Sequence, residues 1–104
     1  MGRVREIRIE TRVFQKAGDG TAFFSEMLNR YDIGSRVSET DGLDLSALLK
    51  RHDQYSEKVG VGIDHYKVDS APEPYEGRCF WVVRVDGSSE DFSFGHCLKR
   101  KDGD

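Results

Sequence analysis

The chain has 104 residues, of which 16 are Lys or Arg and 19 are Asp or Glu, for a formal net charge of -3. That length predicts one domain with one small core, and the acidic balance excludes a global attraction to nucleic acid. The charge is uneven, with nine basic and eight acidic residues over 1–52 against seven and eleven over 53–104, so any nucleic-acid contact has to come from a local basic surface.

The first stretch, MGRVREIRIETRVF, alternates charge with apolarity. Lacking a continuous hydrophobic run, it is expected to be neither a secretory signal nor a membrane span. Glu6 stands where a myristoylation start would carry Ser or Thr. Val4 to Phe14 reads as a half-exposed strand, with Ile7, Ile9, Thr11 and Val13 on one face and Arg8, Glu10 and Arg12 on the other. Arg3, Arg5, Arg8, Arg12 and Lys16 form the richest basic run, interrupted by Glu6 and Glu10. A solvated strand face and a phosphate-contacting surface both fit it.

Lys16 to Gly20 is expected to be a turn, with Asp19 or Thr21 capping the helix that follows. On that helix Phe23, Met27 and Arg30 share one spacing and Phe24, Leu28 and Tyr31 another, so most of its bulk should face a sheet. Gly34 fits a helix terminator or the next turn, and Ile33 and Val37 are expected to anchor the crossing segment. Asp41-Gly42 reads as a turn, after which Asp41 or Asp44 would cap a second helix running from Leu43 or Leu45 to Arg51. Leu45, Leu48, Leu49 and His52 share a face of it.

Gln54 to Lys58 is polar, and an extended run follows through Val61 to Val68. Gly60 and Gly62 permit a bend or a close approach by backbone and aromatic rings. No Gly-Lys-Ser or Gly-Lys-Thr ending follows them, so nucleotide binding is not expected. Asp69 to Gly77 carries both prolines and reads as a surface loop. Cys79 to Val85 is apolar except for Arg84, so both faces of that strand are expected to need cover. Asp86-Gly87 supplies a hairpin turn, Glu90 to Phe92 the return strand, and a helical turn near Ser93 would carry Cys97 and Leu98 inward.

Chemistry-bearing groups are sparse. Cys79 and Cys97 read as buried thiols of a reducing compartment, which makes cytoplasmic residence the default. A nucleophilic site would need one of them beside a histidine, and His96 is adjacent to Cys97 in sequence but diverges from it in a strand or a helix. His52, His65 and His96 form no close paired ligand motif with each other or with the thiols, so neither metal nor cofactor is expected and no catalytic residue is assigned. His52, closing an apolar helix face, reads first as a satisfied structural residue.

Several of these segments together resemble the DCL (defective chloroplasts and leaves) domain family, which also occurs at the C-terminus of the largest subunit of the plant-specific RNA polymerases. The resemblance rests on Leu48-Leu49 and His52, on Lys58-Val59-Gly60-Val61-Gly62-Ile63, and on Cys79-Phe80. Arg84-Val85-Asp86-Gly87-Ser88, Asp91-Phe92-Ser93 and Cys97 complete it, so that it covers roughly Val13 to Leu98. The family commonly has a proline after the helix-end histidine; Asp53 stands here, so the helix exit is expected to differ. The motif residues look mainly structural.

Composition and periodicity predict a small α+β domain, core about 4–99, with two main helices on a mixed sheet and a C-terminal hairpin plus helical turn, and the resemblance implies the same fold in a stand-alone member. The expected strands are Val4 to Val13, Val61 to Val68, Cys79 to Val85 and Glu90 to Phe92. It also implies a noncatalytic RNA-associated accessory role, since DCL proteins are associated with ribosomal RNA maturation in plastids and the polymerase domain with RNA-directed silencing. RNA or a ribonucleoprotein is then the expected partner of a monomer. Arg3, Arg5, Arg8, Arg12, Lys50, Arg51, His52, Lys58, Lys99, Arg100 and Lys101 are the candidate contacts. The alternatives are a protein-interaction module in which Trp81, Tyr66 or Tyr75 supplies contact surface, and a small hydrolase or metal-dependent enzyme, which would need His52 to converge with a thiol or carboxylate in a concave site.

Overall fold

The computed structural model describes residues 6–98. Val4, Arg3, Arg5, Lys99, Arg100 and Lys101 lie outside the described residues. The fold is α+β, with two main helices packed on a sheet and a C-terminal hairpin followed by a helical turn. Every described ladder is antiparallel.

The N-terminal segment is two short strands, β1 (Ile7–Ile9) and β2 (Arg12–Phe14), where the alternation reads as one. They pair as Ile7 with Phe14 and Ile9 with Arg12, and Glu10-Thr11 makes the turn without the Gly or Asn that would signal it. Cross-strand partners share a face. The reversal therefore puts Phe14 in the core with Ile7 and Ile9, leaves Val13 exposed, and swings Arg12 from the expected solvent face toward the helices.

Helix α1 (Ala17–Asn29) begins at Ala17, inside the expected turn, and Lys16 precedes it without a side-chain cap. Gly20 is in the helix because a Cβ there would lie 3.0 Å from Leu98 Cδ2 and 3.3 Å from Phe14 Cδ2. Helix α2 (Glu39–Leu49) starts before Asp41-Gly42, which is therefore helical and not a turn. Its cap is Ser38, whose Oγ accepts from the Asp41 amide at 3.1 Å. The Tyr31 hydroxyl accepts from the Ser38 amide and donates to Asp41 at 2.6 Å, taking the place a capping-box carboxylate would fill. Between the two helices, Gly34, Ser35 and Val37 hydrogen-bond along one edge of the next strand; Val37 is buried but Ile33 is exposed, so only Val37 anchors the crossing.

A short helix, α3 (Tyr55–Val59), occupies the polar stretch that carries no helical signal of its own. Strands β3 (Ile63–Ser70), β4 (Arg78–Arg84) and β5 (Ser89–Phe92) form a sheet in that order, and α4 (Phe94–Leu98) ends the described chain. One face supplies Tyr66, Val68, Phe80, Val82 and Phe92 to the core beneath α1, α2 and α4. The other face stays half-exposed, with Lys67, Trp81 and Asp91 in one cross-strand row. The central strand thus needs cover on one face only. No described helix is long and apolar enough to cross a membrane.

Candidate functional site

The polar positions of the family motif resolve into a scaffold and a cleft. Lys58 on α3 is buried, and its Nζ donates to Glu90 Oε1 at 2.7 Å and to the Asp91 carbonyl at 2.8 Å. The other oxygen of Glu90 accepts from Arg84 Nη2 at 2.6 Å. Arg84 also donates to the carbonyls of Lys58 and Glu57 and to Ser88 Oγ, which staples α3 onto the β4–β5 hairpin. The guanidinium passes over Gly60, where a Cβ would lie 2.9 Å from Nε and where φ is +53°. The close approach expected at Gly60 is therefore made by Arg84 and not by an aromatic ring. The Lys58 hydrogen bond, followed by that of Arg84, holds the Glu90 carboxyl below its ordinary pKa.

Other motif residues make the hairpin and the core. Asp86 Oδ1 accepts from the Ser88 amide and hydroxyl at 2.9 and 2.6 Å, and Gly87 has φ +89°, as the predicted turn requires. Phe80 and Phe92 stack with centroids 6.0 Å apart, and Cys97 is fully buried. Cys79 is half-buried, and burial pushes its thiol up to about 11, far from the thiolate a nucleophile needs. Ser93 Oγ accepts from the His96 amide at 3.3 Å, holding the start of α4.

The end of α2 and the start of α4 meet beside this scaffold. His52 and Asp53 lie in the turn after α2, and His96 lies on α4. His96 Nε2 is 2.8 Å from Asp53 Oδ1, His52 Nδ1 is 3.2 Å from the same oxygen, and the two rings lie 4.7 Å apart. The His96 hydrogen bond is the main reason the Asp53 carboxyl is held below its ordinary value. His52 is nearly enclosed, at 8% side-chain exposure, whereas Asp53 is open. The three ligand atoms lie within 4.8 Å of one another at a cleft of about 340 Å³ that Lys58, Asp91 and Ser93 also line. Asp53 is absent from the sequence-based candidates and fills the position where the family resemblance departs, while His52 and His96 are read there as metal-ligand types that share no close paired motif. No local pattern marks a grouping whose members are 43 residues apart.

The basic candidates separate into those held by buried or backbone partners and those paired only with exposed carboxylates. Arg12 makes a two-point ion pair with Asp44, at 3.2 and 3.0 Å, with its guanidinium carbon 4.1 Å from the centre of the Phe23 ring. Arg51 Nε donates to the Cys97 carbonyl at 2.8 Å. Lys58 is committed to Glu90, and His52 to the cleft cluster. Arg8 remains exposed on β1, and Lys50 is exposed at the end of α2 in an ion pair with Glu10 from the β1–β2 turn. Of the aromatic candidates, Tyr66 is buried and hydrogen-bonded to Ser46, Trp81 is half-buried with its Nε1 donating to the Ser70 carbonyl, and Tyr75 is exposed.

Residues 25–98, which span the last turn of α1 and everything described after it, match the family Protein of unknown function (DUF3223). The chain belongs to this family, the DCL domain family, whose members include largest subunits of plant RNA polymerases. It is 37% identical over 71 residues to Protein DCL, chloroplastic, of Solanum lycopersicum, a match covering 67% of this chain and 32% of that protein. It is 37% identical over 69 residues to DNA-directed RNA polymerase V subunit 1 of Arabidopsis thaliana, covering 65% of this chain and 4% of that subunit. The chain thus spans a third or less of these relatives. An uncharacterized protein of Rhodospirillum rubrum, solved by solution NMR, shares 40% identity and superposes with a TM-score of 0.82 over 93% of this chain and 91% of its own. Cytoplasmic residence, inferred from thiol usage, is overturned by the chloroplastic DCL relatives, because a reducing compartment is a wider class than the cytoplasm.

Proposed function

We propose that this chain is a noncatalytic, RNA-associated accessory domain. The observation that carries the reading is the recurrence of this module in largest subunits of two RNA polymerases as well as in DCL proteins. Ribosomal RNA maturation is the finer form of the proposal. Of the candidate contacts within the described residues, Arg8 and Lys50 have solvent-facing charges. The internal partners of Arg12, Arg51 and Lys58 favour structural roles for them.

Titration with structured ribosomal RNA fragments at low and physiological salt, with double-stranded DNA as control, tests this. Saturable, RNA-selective binding that weakens with salt is expected, and Arg8→Ala should weaken it and flatten the salt slope. Absence of binding at either salt overturns the reading. It would favour a protein-interaction module, for which Tyr75 is the pertinent feature: 73% exposed, beside a groove lined by Leu28, Pro72, Phe80 and Phe94.

A further inference from the structure

We propose that His52, Asp53 and His96 form a binding site for a divalent first-row transition ion of the zinc class, with an open coordination position facing the cleft. The proposal is independent of the RNA-associated reading. Bonds of about 2.0–2.2 Å in tetrahedral geometry hold neighbouring ligand atoms about 3.3–3.5 Å apart. Asp53 Oδ1 lies 3.2 Å from His52 Nδ1 and 2.8 Å from His96 Nε2, so two of the three donor pairs are already on the scale one ion requires, and all three atoms lie within 4.8 Å of one another. His52 is held by its surroundings, with 8% of its side chain exposed, while His96 at 35% and Asp53 at 65% have room to adjust around it.

A ligating imidazole nitrogen has to be unprotonated. The Gln54 amide donates to His52 Nδ1 at 3.0 Å, so that nitrogen already serves as an acceptor, and an incoming ion would take the place of the amide. His96 Nε2 is paired with Asp53 Oδ1 at 2.8 Å, and ligation through Nε2 requires any ring proton to sit on Nδ1. Asp53 supplies the negative charge.

Donor type sets the metal class. Two imidazoles and one carboxylate suit Zn²⁺, Co²⁺, Ni²⁺ or Cu²⁺, whereas Mg²⁺ and Ca²⁺ prefer all-oxygen shells. Three protein ligands with one side open is the arrangement of zinc sites that keep a water or an exogenous ligand, not of closed structural sites. The open side here is the cleft lined by Asp91 and Ser93.

The experiment is titration of chelator-treated protein with ZnCl₂ and CoCl₂, read by calorimetry, by visible Co²⁺ absorption and by NMR of the histidine side chains. One equivalent should bind and compete with Co²⁺ but not with Mg²⁺, moving the His52 and His96 ring signals while leaving those of His65, which pairs with Asp64 at 2.7 Å, unchanged. His96→Gln and Asp53→Asn, at positions open enough to retain the fold, should weaken Zn²⁺ at least about tenfold, and His65→Gln should not. Circular dichroism verifies the fold of each variant. The proposal is overturned by no saturable binding below about 100 μM, by unchanged affinity in folded His96→Gln, or by equal movement of all three histidines, the mark of adventitious imidazole binding.

Discussion

Glu90→Gln isolates the network that joins α3 to the hairpin. The substitution keeps shape and removes the charge shared by Lys58 and Arg84, whose side chains are only 10% and 12% exposed. Breaking a buried ion pair from one side costs about 3–5 kcal/mol. Glu90 itself is 38% exposed, so water replaces part of what is lost, and the remaining acceptors of Lys58 and Arg84 are uncharged. The expected loss is about 2–3 kcal/mol, or roughly 10–20 °C in Tm for a domain of this size. Lys58→Met should cost about 1–2 kcal/mol, because Arg84 still neutralises Glu90 and the aliphatic stem is replaced in kind. In the double variant the two losses should fall short of additivity by about 1–2 kcal/mol. Urea unfolding followed by the fluorescence of Trp81, the chain's single tryptophan, and by circular dichroism supplies the three differences. A Glu90→Gln loss under about 0.5 kcal/mol, or an additive cycle, would refute the network's role.

Gly60→Ala should destabilise by about 2–3 kcal/mol, since its backbone has φ +53° and its Cβ would displace the Arg84 guanidinium. Gly18→Ala, in α1 with nothing within 4 Å, should instead gain about 0.4–1 kcal/mol in the same unfolding assay. Arg12→Ala should cost about 1–3 kcal/mol by stranding the Asp44 carboxylate, which is 6% exposed, whereas Arg8→Ala should stay within about 0.5 kcal/mol. Equal effects of these two arginine variants would contradict the division between the cation that neutralises a buried carboxylate and the one paired only at the surface. The Glu90 carboxyl titrates below its ordinary 4.5, so its contribution is present above that pH and lost as pH falls through the lower folded value. The gap between the parent and Glu90→Gln should therefore close under acid. Cys79 works in the opposite sense: its thiol is raised from 9.0 to about 11, so its contribution is full below pH 9 and lost as pH rises through 11. Cys79→Ala should flatten that alkaline decline.

Local chemistry carried much of the fold. Asp86 and Gly87 contain their own turn instruction, one through a side-chain acceptor and the other through φ, and Phe80, Val82 and Phe92 alternate as a buried sheet face must. The apolar spacing of Leu45, Leu48 and Leu49 likewise placed α2 correctly, although its start was legible only from Ser38 followed by Asp41 three residues later. The early strand was misread because its reversal at Glu10-Thr11 has no turn residues, and one two-residue reversal changed the face of every side chain after it.

The candidate site was much less legible. Lys58, Arg84 and Gly60 stood out as a pattern, but only the folded chain shows that one guanidinium requires the glycine's missing side chain and shares Glu90 with the buried lysine. Arg8 and Arg12 look equivalent in sequence; the buried Asp44, from a helix 32 residues away, holds Arg12 in a two-point ion pair, whereas Arg8 pairs only with the exposed Glu6. Tyr66 and Trp81 sit one register position apart on paired strands and so face opposite sides of the sheet, of which helices cover only one. The sequence by itself determined the Asp86-Gly87 turn, the apolar face of α2 and the family, because those follow from residues near one another in the chain. Tertiary structure alone decided which charges are neutralised and which donors converge on the cleft, because Coulomb forces and ligand distances depend on separation in space.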